Sequence, residues 1–258
     1  MNENKIEKDL FCLNYELKAL SDVLIRKKAE RWVHGFIDNI TESEHLDRYE
    51  FLLDKVEGKE ILDIACGSGY GTFLLSEKGK AKRVIGVDLD ENAIKYGDYK
   101  YPSESINRIT ADATEFNYSI KFDVVVSFET IEHVPDFKKL INNLYDNLKE
   151  GGLLYISTPI TLKTNRTPNN PYHVIEWSFT DFQNLFADLF EIKEIYIQNV
   201  FIKLKEWKVP SLFQKIKNRI VTDSSVYNIE GKKFEIFTGQ YDMNYCSHGY
   251  QMLVLEKK

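Results

Sequence analysis

The sequence predicts an α/β domain: a mostly parallel, doubly wound sheet of seven strands with helices on both faces and an antiparallel last strand. Three observations carry that expectation. Short apolar runs alternate with amphipathic segments between residues 61 and 158, the pattern of strand and helix units that pair in parallel. The run Ile61 to Gly71, ILDIACGSGYG, passes directly from a strand pattern into three closely spaced glycines, which allow a tight turn and close approach of backbone N–H groups to a ligand. The next apolar run, Arg83 to Asp88, RVIGVD, ends in a carboxylate nineteen positions after Gly69, where an acid can accept both hydroxyls of a ribose.

The elements follow in order. Residues 5 to 38 place Leu10, Leu13, Leu17, Leu20 and Leu24, then Trp32, Val33 and Phe36, at roughly helical spacing among charged residues, so one or two amphipathic helices are expected. Thr41 to Asp54, TESEHLDRYEFLLD, opens with capping residues and continues as a helix. Strands are expected at 61–65, 83–88, 106–110, 122–128 and 152–158, with helices near 71–78, 91–99 and 136–148. Ser178 to Phe190 reads as a capped helix, Glu191 to Val200 as a strand, and Gly249 to Glu256 as the final alternating strand. Between those two strands, residues 202 to 247 are far more chain than a hairpin needs. The excursion opens with six bases, Lys203, Lys205, Lys208, Lys215, Lys217 and Arg219, against Glu206. A lid over the site is one expectation for it, and a solvated helix with its apolar side on the core is the plainer one. The chain is read as a single domain, residues 1–258, with a helical cap (1–50), a ligand-binding core (51–200), a lid insertion (201–247) and the last strand (248–258).

With 43% hydrophobic and 29% charged residues among 258, the composition is that of a folded globular chain. A net charge of −6 gives no general attraction to nucleic acid, and none is expected as a partner. Cys12, Cys66 and Cys246 are odd in number and widely spaced, which suggests neither a disulfide framework nor a zinc knuckle and fits a reduced cytoplasm. No apolar run approaches the roughly 20 residues of a membrane span, and the amino terminus lacks the apolar core of a signal peptide.

The set LDIACGSGYG, GVDLD, ADATEF, FDVVVSFETIEHV and GGLLYISTP, in that order over roughly residues 45 to 200, resembles the class I S-adenosylmethionine (SAM) methyltransferases. That resemblance implies a Rossmann-like fold and a SAM pocket. By it, Asp63 helps hold the methionine ammonium, Gly67 and Gly69 pack against the methionine and ribose, and Asp88, with Leu89 beside it, holds the ribose diol. Asp112 and Ala113 read the adenine edge, and Phe128 and Tyr49 complete the pocket. The preceding His45, Arg48 and Tyr49 are similar to a cluster in methyltransferases of bacterial surface sugars, where it crosses the pocket mouth. An amino-terminal helical piece in this superfamily roofs the cofactor or joins two chains, so a homodimer is an expectation as well.

The loop after the fourth strand reads FETIEHVP. If it turns helically, Glu129, Glu132 and His133 share one face, and a divalent cation would relieve the crowding of two carboxylates and an imidazole. His173, after the fifth strand, is a candidate fourth ligand. This E-x-x-E-H with a later His resembles the magnesium-dependent 2′-O-methyltransferases of small-RNA ends and the quinone-biosynthesis O-methyltransferases. The resemblance implies Mg²⁺ or Mn²⁺ held by Glu129, Glu132, His133 and His173. The alternative is metal-free catalysis by His133 as general base, with Glu132 beside it. The expected function is methyl transfer from SAM to a hydroxyl of a small polar acceptor, a sugar or nucleotide sugar for capsule or surface polysaccharide. Other readings are a phosphorylated metabolite, a quinone precursor or an RNA terminus as acceptor, or an inactive SAM-binding subunit.

Overall fold

The computed structural model describes residues 3–26, 31–36, 39–203, 226–228, 235–239 and 241–258. The chain opens with α1 (Glu3–Ser21), continued by a π-helical turn (Asp22–Arg26), and then α2 (Asn39–Glu50). The core follows as β1 (Glu60–Ile64), α3 (Tyr70–Glu77), β2 (Arg83–Asp88), α4 (Glu91–Lys100), β3 (Ile106–Thr110), β4 (Phe122–Phe128), α5 (Phe137–Asn147) and β5 (Leu148–Thr161). After it come β6 (Trp177–Ser178), α6 (Phe179–Asn184), β7 (Phe190–Lys203), β8 (Val226–Asn228), β9 (Glu235–Ile236) and β10 (Cys246–Lys257).

The strands lie in the order β3-β2-β1-β4-β5-β10-β7-β8, with β6 on β5 and β9 on β7. β1, β2, β3, β4 and β5 pair in parallel, whereas β10 runs antiparallel between β5 and β7. The seven long strands are those expected, and β6, β8 and β9 are short additions. Because β1 and β4 are central, the chain departs to opposite sides of the sheet there, and a crevice opens at their carboxyl ends.

Both sheet faces are covered, so the strands are apolar on both sides. Leu62, Ile64 and Val125 pack with Leu140, Leu144 and Trp177 on one face. Ile61, Val124 and Val126 pack with Tyr49, Leu52 and Leu74 on the other. Helix starts are chemically marked: the side chains of Asp90, Asp136 and Ser178 accept hydrogen bonds from the N–H groups of Asn92, Lys139 and Asp181.

Two expectations need correction. The helix expected over 178–190 ends at Asn184. Beyond it, Leu185, Phe186 and Leu189 donate to carbonyls three residues back, tight turns that carry the buried rings of Phe182, Phe186 and Phe190 into the core. The helical reading of 5–38 also stops early, because residues 31–36 form turns and extended chain. As for the excursion, residues 204–225, 229–234 and 240 lie outside the described residues, and with them most of the lid call and of the basic stretch. The described remainder adds β8 and β9 to β7. Among the described residues no helix is long and apolar enough to cross a membrane.

The glycine run has packing reasons of its own. Gly69 has φ +80°, and a Cβ there would lie 2.6 Å from Nε of Arg108, whose guanidinium passes beneath the turn and donates to the Gly69 carbonyl. A Cβ on Gly71 would lie 2.1 Å from Cζ of Tyr49. Alanine favours a helix over glycine by about 1 kcal/mol, but here the clash decides the sign. Gly71→Ala is expected to lower stability by roughly 1–3 kcal/mol, read from the denaturant midpoint, and to displace Tyr49. An unchanged or raised midpoint would show that the ring does not rest on this glycine.

Candidate active site

The carboxyl ends of β1, β2, β3 and β4 border a cleft of about 600 Å³. Of the expected cofactor residues, Gly67, Asp88, Leu89, Asp112, Ala113, Phe128 and Tyr49 line it. Glu129, Glu132, His133 and His173 line it too. The cleft therefore has two chemically distinct ends.

At the first end the glycine turn is held from below. Asp88 accepts from the backbone N–H of Gly67 and of Asp90, both at 2.9 Å, so the carboxylate fixes the turn as well as facing the cleft. Arg31 is a partner that the sequence did not announce: Nη1 lies 3.5 Å from Asp88 and Nη2 3.4 Å from Asp90. Its neighbour Trp32 accepts from the Ser68 hydroxyl through its carbonyl at 2.7 Å, which ties residues 31–36 to the turn. Asp112 is held below the usual carboxylate range, chiefly by the Thr114 backbone N–H at 2.7 Å.

Asp63 and Gly69 are not on the cleft wall. Gly69 serves the passage of Arg108. Asp63 is fully buried, and its carboxylate accepts from the Tyr49 hydroxyl at 3.1 Å and from the Thr72 hydroxyl at 2.8 Å. Burial pushes its carboxyl up to about 7 although both hydroxyls pull the other way. Asp63 thus supports Tyr49, which lines the cleft, rather than reaching the cleft itself. His45 also lines it, stacked on Trp32 with ring centroids 5.3 Å apart. Burial, and next the Arg48 guanidinium, hold its pKa well down, so it is neutral.

The second end is set by an unusual backbone. Glu129 has φ +48°, a left-handed conformation costly for a side-chain-bearing residue. A 3₁₀ turn, Ile131–His133, follows. The expected common face for Glu129, Glu132 and His133 is therefore broken: Glu132, His133 and His173 converge, with one ligand atom from each within 4.8 Å of the others, and Glu129 is not in that group. Instead Glu129 accepts from the Ser157 hydroxyl at 2.7 Å and faces the buried Arg48 guanidinium at 3.7 Å.

Hydrogen bonds assign both imidazole tautomers. His133 Nδ1 lies 3.1 Å from the Tyr172 carbonyl, which can only accept, so Nδ1 carries the proton. The Asn170 amide oxygen accepts from the Tyr172 N–H, which turns Nδ2 of Asn170 toward His173 Nε2 at 3.0 Å. His173 Nδ1 then donates to Glu176 at 2.7 Å. Each ring is thus anchored through Nδ1 and has Nε2 as its acceptor nitrogen, taken up by the Asn170 amide in the case of His173. Glu132 is buried and accepts from Thr158 at 3.0 Å. Burial first, and then neighbouring Glu129, raise its pKa well above the ordinary range. Glu176, three residues after His173, could have been suspected from spacing; Thr158 and Asn170 carry no such signal.

Asp63 gives a test of sign. Its folded pKa, about 7, exceeds the ordinary 3.8, so the stability associated with the protonated form is full below about pH 4 and is lost as pH rises through about 7. Relative to Asp63→Asn, the wild type should lose on the order of 4 kcal/mol across that interval. Thermal melts of the two chains from pH 4 to 8 check this. A constant difference would mean that the carboxyl is not held neutral.

A family model described as a methyltransferase domain matches residues 37–194. A probable S-adenosylmethionine-dependent methyltransferase of Mycolicibacterium smegmatis is 32% identical over 171 residues, which cover 64% of this chain and 65% of that protein. The match thus spans just under two thirds of that relative's length. A ubiquinone biosynthesis O-methyltransferase of Leptothrix cholodnii is 28% identical over 130 residues, 48% of this chain and 52% of its own. In fold, the chain is similar to the N-methyltransferase NodS of Bradyrhizobium japonicum, solved with S-adenosyl-L-homocysteine, with TM-score 0.56 and 16% identity over 85% of this chain and 89% of that one. With most of its α/β core and the whole glycine turn inside the matched region, the chain belongs to the methyltransferase-domain family.

Proposed function

We propose that this chain transfers a methyl group from S-adenosylmethionine to a hydroxyl oxygen of a small polar acceptor, a sugar or nucleotide sugar of capsule or surface polysaccharide. The observation that carries the reading is the two-ended cleft. Asp88, Asp112 and Ala113 offer a nucleoside its partners at one end, and Glu132, His133 and His173 gather proton-handling groups at the other. Transfer to oxygen rather than nitrogen is supported by those imidazoles, because a hydroxyl must lose its proton as it is methylated, and by the name of the quinone-pathway relative. A sugar is supported by the polar rim of Asn170, Tyr172 and Tyr250 and by the resemblance of the His45, Arg48, Tyr49 cluster, of which His45 and Tyr49 line the cleft while Arg48 is buried against Gln198 and Glu129 rather than crossing the mouth.

The reaction forms an O–CH₃ bond as the S–CH₃ bond breaks, turning a sulfonium into a neutral thioether. The task left to the protein is alignment and removal of one proton. His133 Nε2, made an acceptor by the Nδ1 bond to Tyr172, takes that proton. Glu132, neutral through burial, can donate to an acceptor hydroxyl beside the reacting one.

A second reading keeps the same residues and adds a divalent ion. One carboxylate and two imidazoles within 4.8 Å are a fitting donor set, and two nitrogens suit Mn²⁺ better than Mg²⁺. Glu132, His133 and His173 would hold the ion, and its charge would lower the pKa of the acceptor hydroxyl. Glu176 and the Tyr172 carbonyl would then fix the two rings from behind. Glu129, turned to Ser157 and Arg48, is left out of this set.

Two measurements test the proposal. Asp88→Asn, which keeps one acceptor but loses the charge, should weaken SAM binding by about 10- to 100-fold in calorimetry, the worth of roughly one charge-assisted hydrogen bond; equal affinity would remove the cofactor assignment. Labelled methyl from SAM should appear on nucleotide sugars in a panel that includes quinone precursors and RNA ends, and transfer confined to either of the latter would replace the acceptor. In the same assay, His133→Ala inactive and wild type fully active in EDTA selects the metal-free base. Loss in EDTA with recovery in Mn²⁺ selects the ion.

A further inference from the structure

Between its two ends the cleft is walled by aromatic rings. The strand order β3-β2-β1-β4-β5 sets Asp88 and Asp112, at or just after the ends of β2 and β3, to one side. It sets Glu132, His133 and His173, which follow β4 and β5, to the other. Over β1 and β4, the strands between, the wall is different in kind. Phe128 is the last residue of β4, and the Tyr49 ring meets it edge to face, with centroids 5.2 Å apart and planes at 79°. Trp32 lies beside Tyr49 with centroids 5.8 Å apart, and all three side chains line the cleft. Two rings set nearly at right angles present two negative π faces to the angle between them.

Fixed charge is withheld from this stretch of wall. Asp63, at β1, is fully buried behind Tyr49 and takes the Tyr49 hydroxyl instead of facing the cleft. His45 is neutral through burial, and burial likewise keeps the proton on the Cys66 thiol, two further groups that line the cleft. Glu129 follows Phe128 in the chain, but its carboxylate is engaged by the Ser157 hydroxyl at 2.7 Å and by the Arg48 guanidinium at 3.7 Å. Desolvated ring faces without an adjoining free carboxylate suit a cation that carries no hydrogen-bond donor, for which cation–π attraction is the available recognition. A sulfonium is such a cation. An ammonium, with its N–H groups, is better served by oxygen acceptors.

We propose that Tyr49, Phe128 and Trp32 recognise the positive charge of the SAM sulfonium by cation–π attraction, so that the cleft separates SAM from its demethylated product by charge. The inference rests on the SAM reading and adds to it the residues that sense whether the methyl group is still present. On that reading the methyl group must pass from a point between the nucleoside end and the proton-handling end, which is where these rings stand. Each ring favours the charged ligand by about 3- to 30-fold. Once the methyl group has left, the sulfur is neutral and that preference is gone, while contacts at Asp88 and Asp112 hold both molecules alike.

Phe128 is the ring to vary, because it has no hydroxyl whose hydrogen bond would be lost with it. Replacing it in the whole chain by phenylalanine with one, two or three ring fluorines keeps its shape nearly constant and drains its negative face stepwise. Calorimetry with SAM and with S-adenosyl-L-homocysteine then reads the ratio of the two affinities. That ratio should fall with each fluorine, by at least about threefold at the third, with the affinity for S-adenosyl-L-homocysteine within about twofold of wild type. If the fluorinated chains fold poorly, Trp32→Leu, which changes a half-buried ring, should lower the same ratio by about threefold or more. A ratio that does not change in these chains overturns the proposal, and so does equal weakening of both ligands, which marks contact by shape alone. Loss of the preference in Glu129→Gln, with the fluorinated chains unaffected, overturns it in favour of a carboxylate. A wild type that binds neither ligand removes the SAM reading and this inference with it, whereas binding of both without a charge preference removes this inference alone.

Discussion

Asp63 is the point at which the rest of the site is tied together. It sits near the end of β1, and its carboxylate joins Tyr49 of α2 to Thr72 of α3, so cap, central strand and glycine-turn helix meet on one group. Burying an ionised carboxylate without a cation is costly, and the group answers by holding its proton to about pH 7. Gly71 completes the arrangement, since its missing side chain is the space that the Tyr49 ring occupies. A cleft wall made by an aromatic ring is thus fixed by one hydroxyl–carboxyl contact and one absent methyl group.

The two ends of the cleft differ in charge because they differ in exposure to backbone donors. Asp88 and Asp112 face N–H groups at 2.7 to 2.9 Å, and at Asp112 this holds the carboxyl below its ordinary range. Glu132, inside the 3₁₀ turn, is buried with Glu129 nearby, which favours the acid although the Thr158 hydroxyl donates to it. Two carboxylates crowded together resolve by losing one charge unless a cation intervenes, and Arg48 supplies a partial one on the Glu129 side. The general base and the metal readings are therefore alternative answers to a single electrostatic problem.

The sheet was legible because its signals are local. The parallel strands announce themselves by apolar runs, most plainly β1, β2 and β4, and Asp88 and Asp112 were readable as residues of the cleft wall because strand ends border the crevice in any fold of this class. What escaped depends on distance or on backbone angles. At Gly69 the packing need for a glycine comes from Arg108, 39 residues away. Glu129 was put on a shared helical face, and nothing in FETIEHVP discloses a positive φ. The helix ending at Asn184 has an amphipathic continuation, and only the burial of Phe186 and Phe190 shows why the chain tightens instead. Residues 31–36 lie some thirty positions before the turn they touch, beyond the reach of any periodicity.

The Arg31 contact bears on turnover as much as on recognition. On the proposed reading Asp88 gives up water for a neutral diol when the cleft fills, while the Gly67 and Asp90 N–H groups and the Arg31 guanidinium lie at its other sides. With a guanidinium 3.5 Å away, Asp88 has a charged partner that does not depend on the diol. The cost of vacating the cleft falls, and so does the affinity of whatever occupies it. The proposed methyl transfer needs such a balance more than it needs tight binding, because every interaction far from the sulfur is felt equally by the molecule that must arrive and the one that must go.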